Sequence, residues 1–403
     1  MRPMRMWVYV IRRLLLMIPV VIGVMTITFF LVNALGPTER IQTFIGPSKN
    51  GYSPTINCFA PNATVPNPPK CPNPAYVRAV NALGLNKPVP EQWGIYIYNS
   101  LTLNWGQTSP NSEASQAYGL QGGAVPITTV LAWYLPYTLE LAALSLLIIL
   151  VLSIPIGNLS AVYRNRPFDQ AARVVSFSGY AFPGFLLALL LLLAATQLSG
   201  GFTAICNHGA DAFSEWYGSW PNQNCLPGGS YPAWMGSQIH FHTSPTGFPT
   251  VDALLNGNTN LAWQSFYRMI LPALTIAFAS IAGILRFVRN SMLEVMNLDF
   301  IRTARSKGVP ERVVIRKHAG RNSLNVTITI LGLTFAGFIG GFPITEQVFG
   351  LVGIGNLLVQ SVQAPPDFGL IFGTTLLFTI IVVVANIIVD VLYAYLDPRV
   401  RLG

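Results

Sequence analysis

The feature that most constrains this chain is a set of six apolar stretches, each long enough to cross a lipid bilayer. A hydrocarbon core of about 30 Å takes about 20 helical residues at roughly 1.5 Å each, so runs of that length with little or no charge are candidate spans. They lie at about Leu14–Leu35, Leu135–Tyr163, Val174–Leu198, Met269–Leu285, Leu324–Thr345 and Leu370–Leu396. Of the 403 residues, 52% are hydrophobic and only 10% charged, against about 25% charged in an ordinary soluble domain. A net charge of +9 suits a nucleic-acid binder only where basic residues cluster on a polar folded surface; here they flank apolar runs. The expectation is an all-α integral membrane protein, multi-pass in the cell membrane, with the bilayer and not nucleic acid as its partner.

Basic residues near the ends of spans are retained in the cytoplasm. The segments before span 1, between spans 2 and 3, between spans 4 and 5 and after span 6 hold 18 of the 24 Lys and Arg. Both termini are therefore expected to be cytoplasmic. On that scheme residues 1–35 are a tail and the first span, 36–130 an external segment, and 131–198 spans 2 and 3. Residues 199–267 form a second external segment, and 268–403 hold spans 4 to 6 with a basic cytoplasmic loop at 290–322. The two loops together would build an enlarged external domain. All four cysteines fall in them, Cys58 and Cys71 in the first, Cys206 and Cys225 in the second, as disulfides in an oxidising compartment require. Pairing within each segment closes short loops; a bridge between the two segments is the alternative, and the lack of CxxC spacing argues against zinc.

Catalytic signatures are missing. The sequence has no GxxxxGK[ST] phosphate loop, no HExxH and no GxSxG, and the Gly350–Gly355 stretch follows no expected strand, which excludes a dinucleotide fingerprint. His240 and His242 have no evident third metal ligand. Charges inside spans are functional hypotheses by default, and Glu140 and Asp390 are the two candidates. Each sits near a span end, where reaching the interface or pairing within the bundle accounts for it.

The most informative segment joins spans 4 and 5. Leu298, Ile301 and Ala304 recur at helical spacing, and Gly308 followed by Pro310 marks a helix stop with chain reversal. A second short helix is expected from about Glu311 to Arg321. Seven basic residues lie between Arg302 and Arg321, so the pair reads as a compact docking knob, or alternatively as a basic loop resting on anionic headgroups.

This loop, Asp299-Phe300-Ile301-Arg302-Thr303-Ala304-Arg305-Ser306-Lys307-Gly308, resembles the EAA signature of ABC-importer permeases, in particular the dipeptide/oligopeptide permease family. Ile11-Arg12-Arg13-Leu14-Leu15, Thr138-Leu139-Glu140-Leu141-Ala142, Phe182-Pro183-Gly184-Phe185 and Asn386-Ile387-Ile388-Val389-Asp390 resemble the same family. The chain departs from it at Leu35-Gly36-Pro37-Thr38, at Val352 within Glu346–Gly355, and around Pro365-Pro366-Asp367. The resemblance implies one of two related permease subunits enclosing a path, with two cytoplasmic ATPase subunits that bind ATP and Mg, an external solute-binding protein, and no cofactor in this chain. Asp299, Arg302, Thr303, Ala304, Lys307, Gly308 and Glu311 would then couple ATPase motion to the spans. Pro272 and the Gly337, Gly340, Gly341 and Pro343 cluster would absorb that motion or permit close packing. A peptide importer is the leading expectation and an oligosaccharide importer the second. A proton-coupled secondary transporter and a membrane receptor are the alternatives of a different class.

Overall fold

The computed structural model describes residues 6–34, 36, 40–41, 55–57, 70–82, 84–109, 125–198, 246–255, 257, 259–323, 330–332, 334, 337–338, 342–351, 353–363 and 366–396. Long helices dominate. They are α1 (Met6–Ala34), α4 (Ile127–Val162), α8 (Thr259–Met296) and α13 (Phe368–Leu396). At 36 residues, α4 is about 54 Å long and overshoots a hydrocarbon core of about 30 Å. In lipid a helix satisfies its own backbone donors and acceptors, so apolar runs of this length have no other stable form.

Among the described residues four helices are long and apolar enough to span: Leu15–Ala34, Ile127–Val162, Ser265–Met296 and Phe368–Ile388. The third expected span is not one straight helix. It is α5 (Pro167–Ala181) and α6 (Gly184–Leu198), and the spanning portions of the pair meet at a bend of 104°. Pro183 explains the break: it holds the preceding Phe182 in an extended conformation, φ −87° and ψ 121°, and brings no N–H to continue the ladder. The fifth expected span lies largely outside the described residues, and 330–332, 334, 337 and 338 within it are helical.

The core is built where α4 crosses α8. Tyr134, Leu141 and Ile149 of α4 meet Met269, Ala277, Leu285 and Val288 of α8, all nearly inaccessible to solvent. Small residues permit this approach, as they do between helices in membranes. A Cβ on Gly157 would stand 2.7 Å from a Val288 methyl group, and one on Gly179 of α5 would collide with Ala282 of α8. Pro136 and Pro155 lie inside α4, and Pro272 inside α8.

Outside the bundle, β1 (Thr55–Asn57) pairs antiparallel with β2 (Lys70–Pro72), Ile56 opposite Cys71. Helices α2 (Pro74–Ala82) and α3 (Val89–Leu101) follow. The last is tied to α1 by a hydrogen bond from the Trp93 indole to Thr26 Oγ1, 3.1 Å, and by the ring series Phe29, Tyr96 and Phe372, which reaches α13. Helix α7 (Pro249–Leu255) packs on α8, and Gly247 just before it lies close to Pro136 of α4.

Adding a branched side chain at a contact this close forces the helices apart, which typically costs about 1–3 kcal/mol. Gly179→Val and Gly157→Leu are expected to lower the thermal unfolding temperature in detergent, whereas Gly184→Ala, whose Cβ meets nothing within 4 Å, leaves it within error. Equal melting of all three variants would refute the account of the crossing.

Candidate functional site

At the end of α8 the chain folds into a short, stiff projection. Helix α9 (Asp299–Ser306) starts with Asp299 in its first turn and ends with Arg305 in its last, both favourable against the helix dipole. It stops at Gly308, φ +72°, in the left-handed conformation that glycine adopts without penalty. There the Val309 amide donates to the Ala304 carbonyl at 3.3 Å and the Gly308 amide to Arg305 at 2.9 Å. This two-bond closure is the Schellman arrangement. Pro310 restarts the chain into α10 (Glu311–Val313), which continues as a π-helix over Val314–Gly320.

Two contacts hold the projection in shape. Arg305 grips Glu311 across the turn, Nε to Oε2 at 3.1 Å and Nη2 to Oε1 at 2.7 Å; that pairing holds the Glu311 carboxyl below its ordinary range. Beneath it, Ile301 is fully buried in a cluster with Ala161 of α4, Met292 of α8, and Val314 and Ala319 of the π-helix. The knob is thus bolted to the ends of two bundle helices. Its outer face, Arg302, Thr303, Arg305, Ser306, Lys307 and Gly308, is exposed, and a Cβ on Gly308 would point into open space.

The seven loop residues singled out in the sequence, Asp299, Arg302, Thr303, Ala304, Lys307, Gly308 and Glu311, are therefore brought together. Arg302 also reaches Asp299, at 3.3 Å. Glu140 stands on α4 beside Thr250 of α7, and position 390 lies within α13. Cys71 is in β2, while Cys58, Cys206, Cys225, His240 and His242 lie outside the described residues. Among the described residues no group of three or more His, Cys, Asp or Glu could hold a metal ion.

Two constellations escaped the sequence reading. Behind the knob, Asp169 at the start of α5 is fully buried and takes a bidentate bond from Arg289 of α8, Nε to Oδ1 at 2.7 Å and Nη2 to Oδ2 at 3.0 Å. Ser160 Oγ at the end of α4 donates to the same carboxylate at 2.6 Å. The signal was one acid in a basic loop followed 120 positions later by an Arg at the end of an apolar run. At the other end, Glu346 of α11 (Pro343–Val348) is fully buried. It accepts from Thr138 Oγ1 of α4 at 3.0 Å and from the Asn356 amide at 2.8 Å, in the first turn of α12 (Ile354–Val362). Thr138 Oγ1 in turn accepts from the Ile354 amide at 2.9 Å. Gly353 and Gly355 leave the room; a Cβ on either would run into the carboxylate.

Residues 153–402 match the family described as the binding-protein-dependent transport system inner membrane component. The chain belongs to that family: it is a multi-pass membrane permease subunit of the ABC-transporter class, not an enzyme, and ATP hydrolysis resides in partner subunits. Among similar proteins, the probable D,D-dipeptide transport system permease protein DdpB of Escherichia coli K12 is 35% identical over 279 residues, 69% of this chain and 74% of that protein. The dipeptide transport system permease protein DppB of Alkalihalophilus pseudofirmus is 28% identical over 98% of this chain and all of its own length. The oligopeptide transport system permease protein AppB of Bacillus subtilis is 29% identical over 98% of this chain and 99% of its own length.

Removing one partner from a buried polar network leaves a donor unmet at about 1–3 kcal/mol. Thr138→Val is expected to lower the unfolding temperature, and Glu346→Gln to lower it further, because the new amide group faces backbone donors; an unchanged melt for Glu346→Gln would refute the cradle. The Arg305–Glu311 pair is exposed, so its coupling is below about 1 kcal/mol. Since the folded carboxyl is depressed, that stabilisation is present above the free carboxylate range and lost as acid protonates Glu311. A double-mutant cycle should give measurable coupling near neutral pH and none at about pH 2, well below the ordinary carboxylate range; a pH-independent coupling would contradict it.

Proposed function

We propose that this chain is the permease subunit of an ATP-driven importer for peptides, with six spans and both termini in the cytoplasm. The observation that carries the reading is the α9–Gly308–α10 knob, which is basic and exposed on one side and locked to α4 and α8 on the other. Its exposed face fits a cleft on an ATPase subunit, with Asp299, Arg302, Thr303, Ala304, Lys307, Gly308 and Glu311 forming the contact. Because Ile301 is fully buried among bundle residues, a displacement of the knob moves α4 and α8 with it, and the bundle responds by alternating access. ATP and Mg belong to two ATPase subunits. A second, related permease subunit completes the path, and an external solute-binding protein delivers the ligand.

The substrate class rests on relatives whose names specify dipeptides and oligopeptides, which favours peptides over oligosaccharides. The hairpin of β1 and β2, with α2 and α3, belongs to the external domain. Its cysteines pair within each segment, Cys58 with Cys71 and Cys206 with Cys225. Glu140 and Asp390 serve the fold of the bundle and not substrate choice.

Reconstitution of the complete transporter in proteoliposomes tests the assignment. Gly308→Trp is expected to reduce ATP-dependent uptake of labelled di- and oligopeptides at least tenfold while the chain still assembles in the membrane. Gly308→Ala, which strains the left-handed residue without filling the cleft, should retain most of the uptake. Normal uptake by Gly308→Trp would sink the coupling role, and uptake driven by a proton gradient without ATP would sink the importer reading itself.

A further inference from the structure

The turn between α4 and α5 carries a feature that neither coupling nor transport uses. A groove of about 320 Å³ is lined by Leu159, Tyr163, Arg166, Pro167 and Phe168. Its walls are apolar yet open, with Leu159, Tyr163 and Phe168 each more than 40% exposed. The Arg166 guanidinium stands over the Tyr163 ring, 5.5 Å from its centroid, and Arg164 is exposed on the same turn. Among the described residues neither arginine has a carboxylate within ion-pair range. The one acid nearby, Asp169, is buried, and its oxygens are taken by Arg289, Ser160 and the Asn165 amide.

That last bond also makes the turn a fixed one. The Asn165 amide donates to Asp169 Oδ2 at 2.9 Å while Asn165 sits at φ +63°, and the Arg166 amide donates to the Tyr163 carbonyl at 3.0 Å. The groove is therefore preorganised, which lowers the ordering penalty on binding. Further exposed apolar side chains stand on the same two helices, Val151 and Leu147 on α4 and Val174 and Phe177 on α5, so the groove adjoins apolar surface left open on both. Uncompensated guanidinium groups at the rim of an apolar groove on a membrane helix pair match one ligand class, an amphiphile with an anionic phosphate head.

We propose that this groove binds one anionic phospholipid, its phosphate on Arg166 and Arg164 and the start of an acyl chain along Leu159, Tyr163 and Phe168. The inference rests on the membrane reading but not on the substrate or on ATP coupling, so lipid retention and peptide uptake can fail separately. The complete transporter, delipidated in detergent, is placed in nanodiscs containing either phosphatidylglycerol or phosphatidylcholine and examined by native mass spectrometry after release. Wild type should retain one phosphatidylglycerol per chain. Arg166→Glu, which reverses the rim charge, and Leu159→Trp, which fills the groove, should each lower that retention at least tenfold; phosphatidylcholine should not be retained. Equal retention of the two lipids, or retention unmoved by both variants, would overturn the proposal. So would a photo-cross-linker at position 163 that captures another protein subunit instead of lipid.

Discussion

The arrangement depends on one buried carboxylate. Asp169 joins three elements at a single point: the end of α4 through Ser160, the start of α5 on which it sits, and α8 through the two bonds from Arg289. Removing the carboxylate would strip Arg289 of its bidentate partner, and removing Arg289 would leave Asp169 only the half-exposed Arg173, 3.5 Å away, as an ion-pair partner; either change is worse than never having buried the pair. The pair therefore fixes how α4, α5 and α8 meet at the end of the bundle from which α9 projects. The knob inherits its orientation from that junction, because Ala161 and Met292, which receive Ile301, lie one residue beyond Ser160 and three beyond Arg289.

The other end of α4 is organised by the same chemistry with a different partner. Glu346 takes donors from the start of α12, where unpaired backbone amides gather, and shares Thr138 with it. Asp367 does likewise at the head of α13, accepting from the Leu370 amide at 3.0 Å and from the Ser109 amide at 2.7 Å. Buried carboxylates thus satisfy helix termini that would otherwise be left without acceptors away from water. The outcome is a long helix, α4, held at one end through Asp169 and at the other through Glu346, with apolar packing on α8 between them.

Much of this was legible in the sequence, and the division follows physical range. The spans at α1, α4, α8 and α13 announce themselves because hydropathy is a local property, and the knob does so because Gly308, Pro310 and the spacing of Ile301 and Ala304 act within a few residues. The Pro183 break was visible as a residue but not as a bend of 104°, since proline is tolerated in many membrane helices. The ion pair of Asp169 with Arg289 and the bond of Glu346 to Thr138 join residues 120 and 208 positions apart. No periodicity records such a pairing, so in the sequence Glu346 stands only as the first residue of the Glu346–Gly355 stretch. The sequence of the π-helix after α10 likewise carries no mark that sets it apart from an ordinary helix.

The proposed coupling asks the knob to transmit motion without absorbing it, and the local structure divides those demands. Within the projection the turn is closed by two backbone bonds and the Arg305–Glu311 grip, and its underside is packed by Ile301, so it moves as a unit. Compliance has to sit elsewhere. The π-helical turn Val314–Gly320, where the helical ladder is widened, is the first irregular element beyond it, and π-turns are common at functional sites. On the other route, through α8, the ladder next lacks an N–H at Pro272, far along the helix. In the proposed coupling, force applied at Lys307 and Gly308 reaches the α4–α8 crossing along a continuous packed path, while the chain that follows Gly320 is reached only through the π-turn. By that asymmetry α4 and α8 are the elements to which the proposed coupling passes directly from the knob.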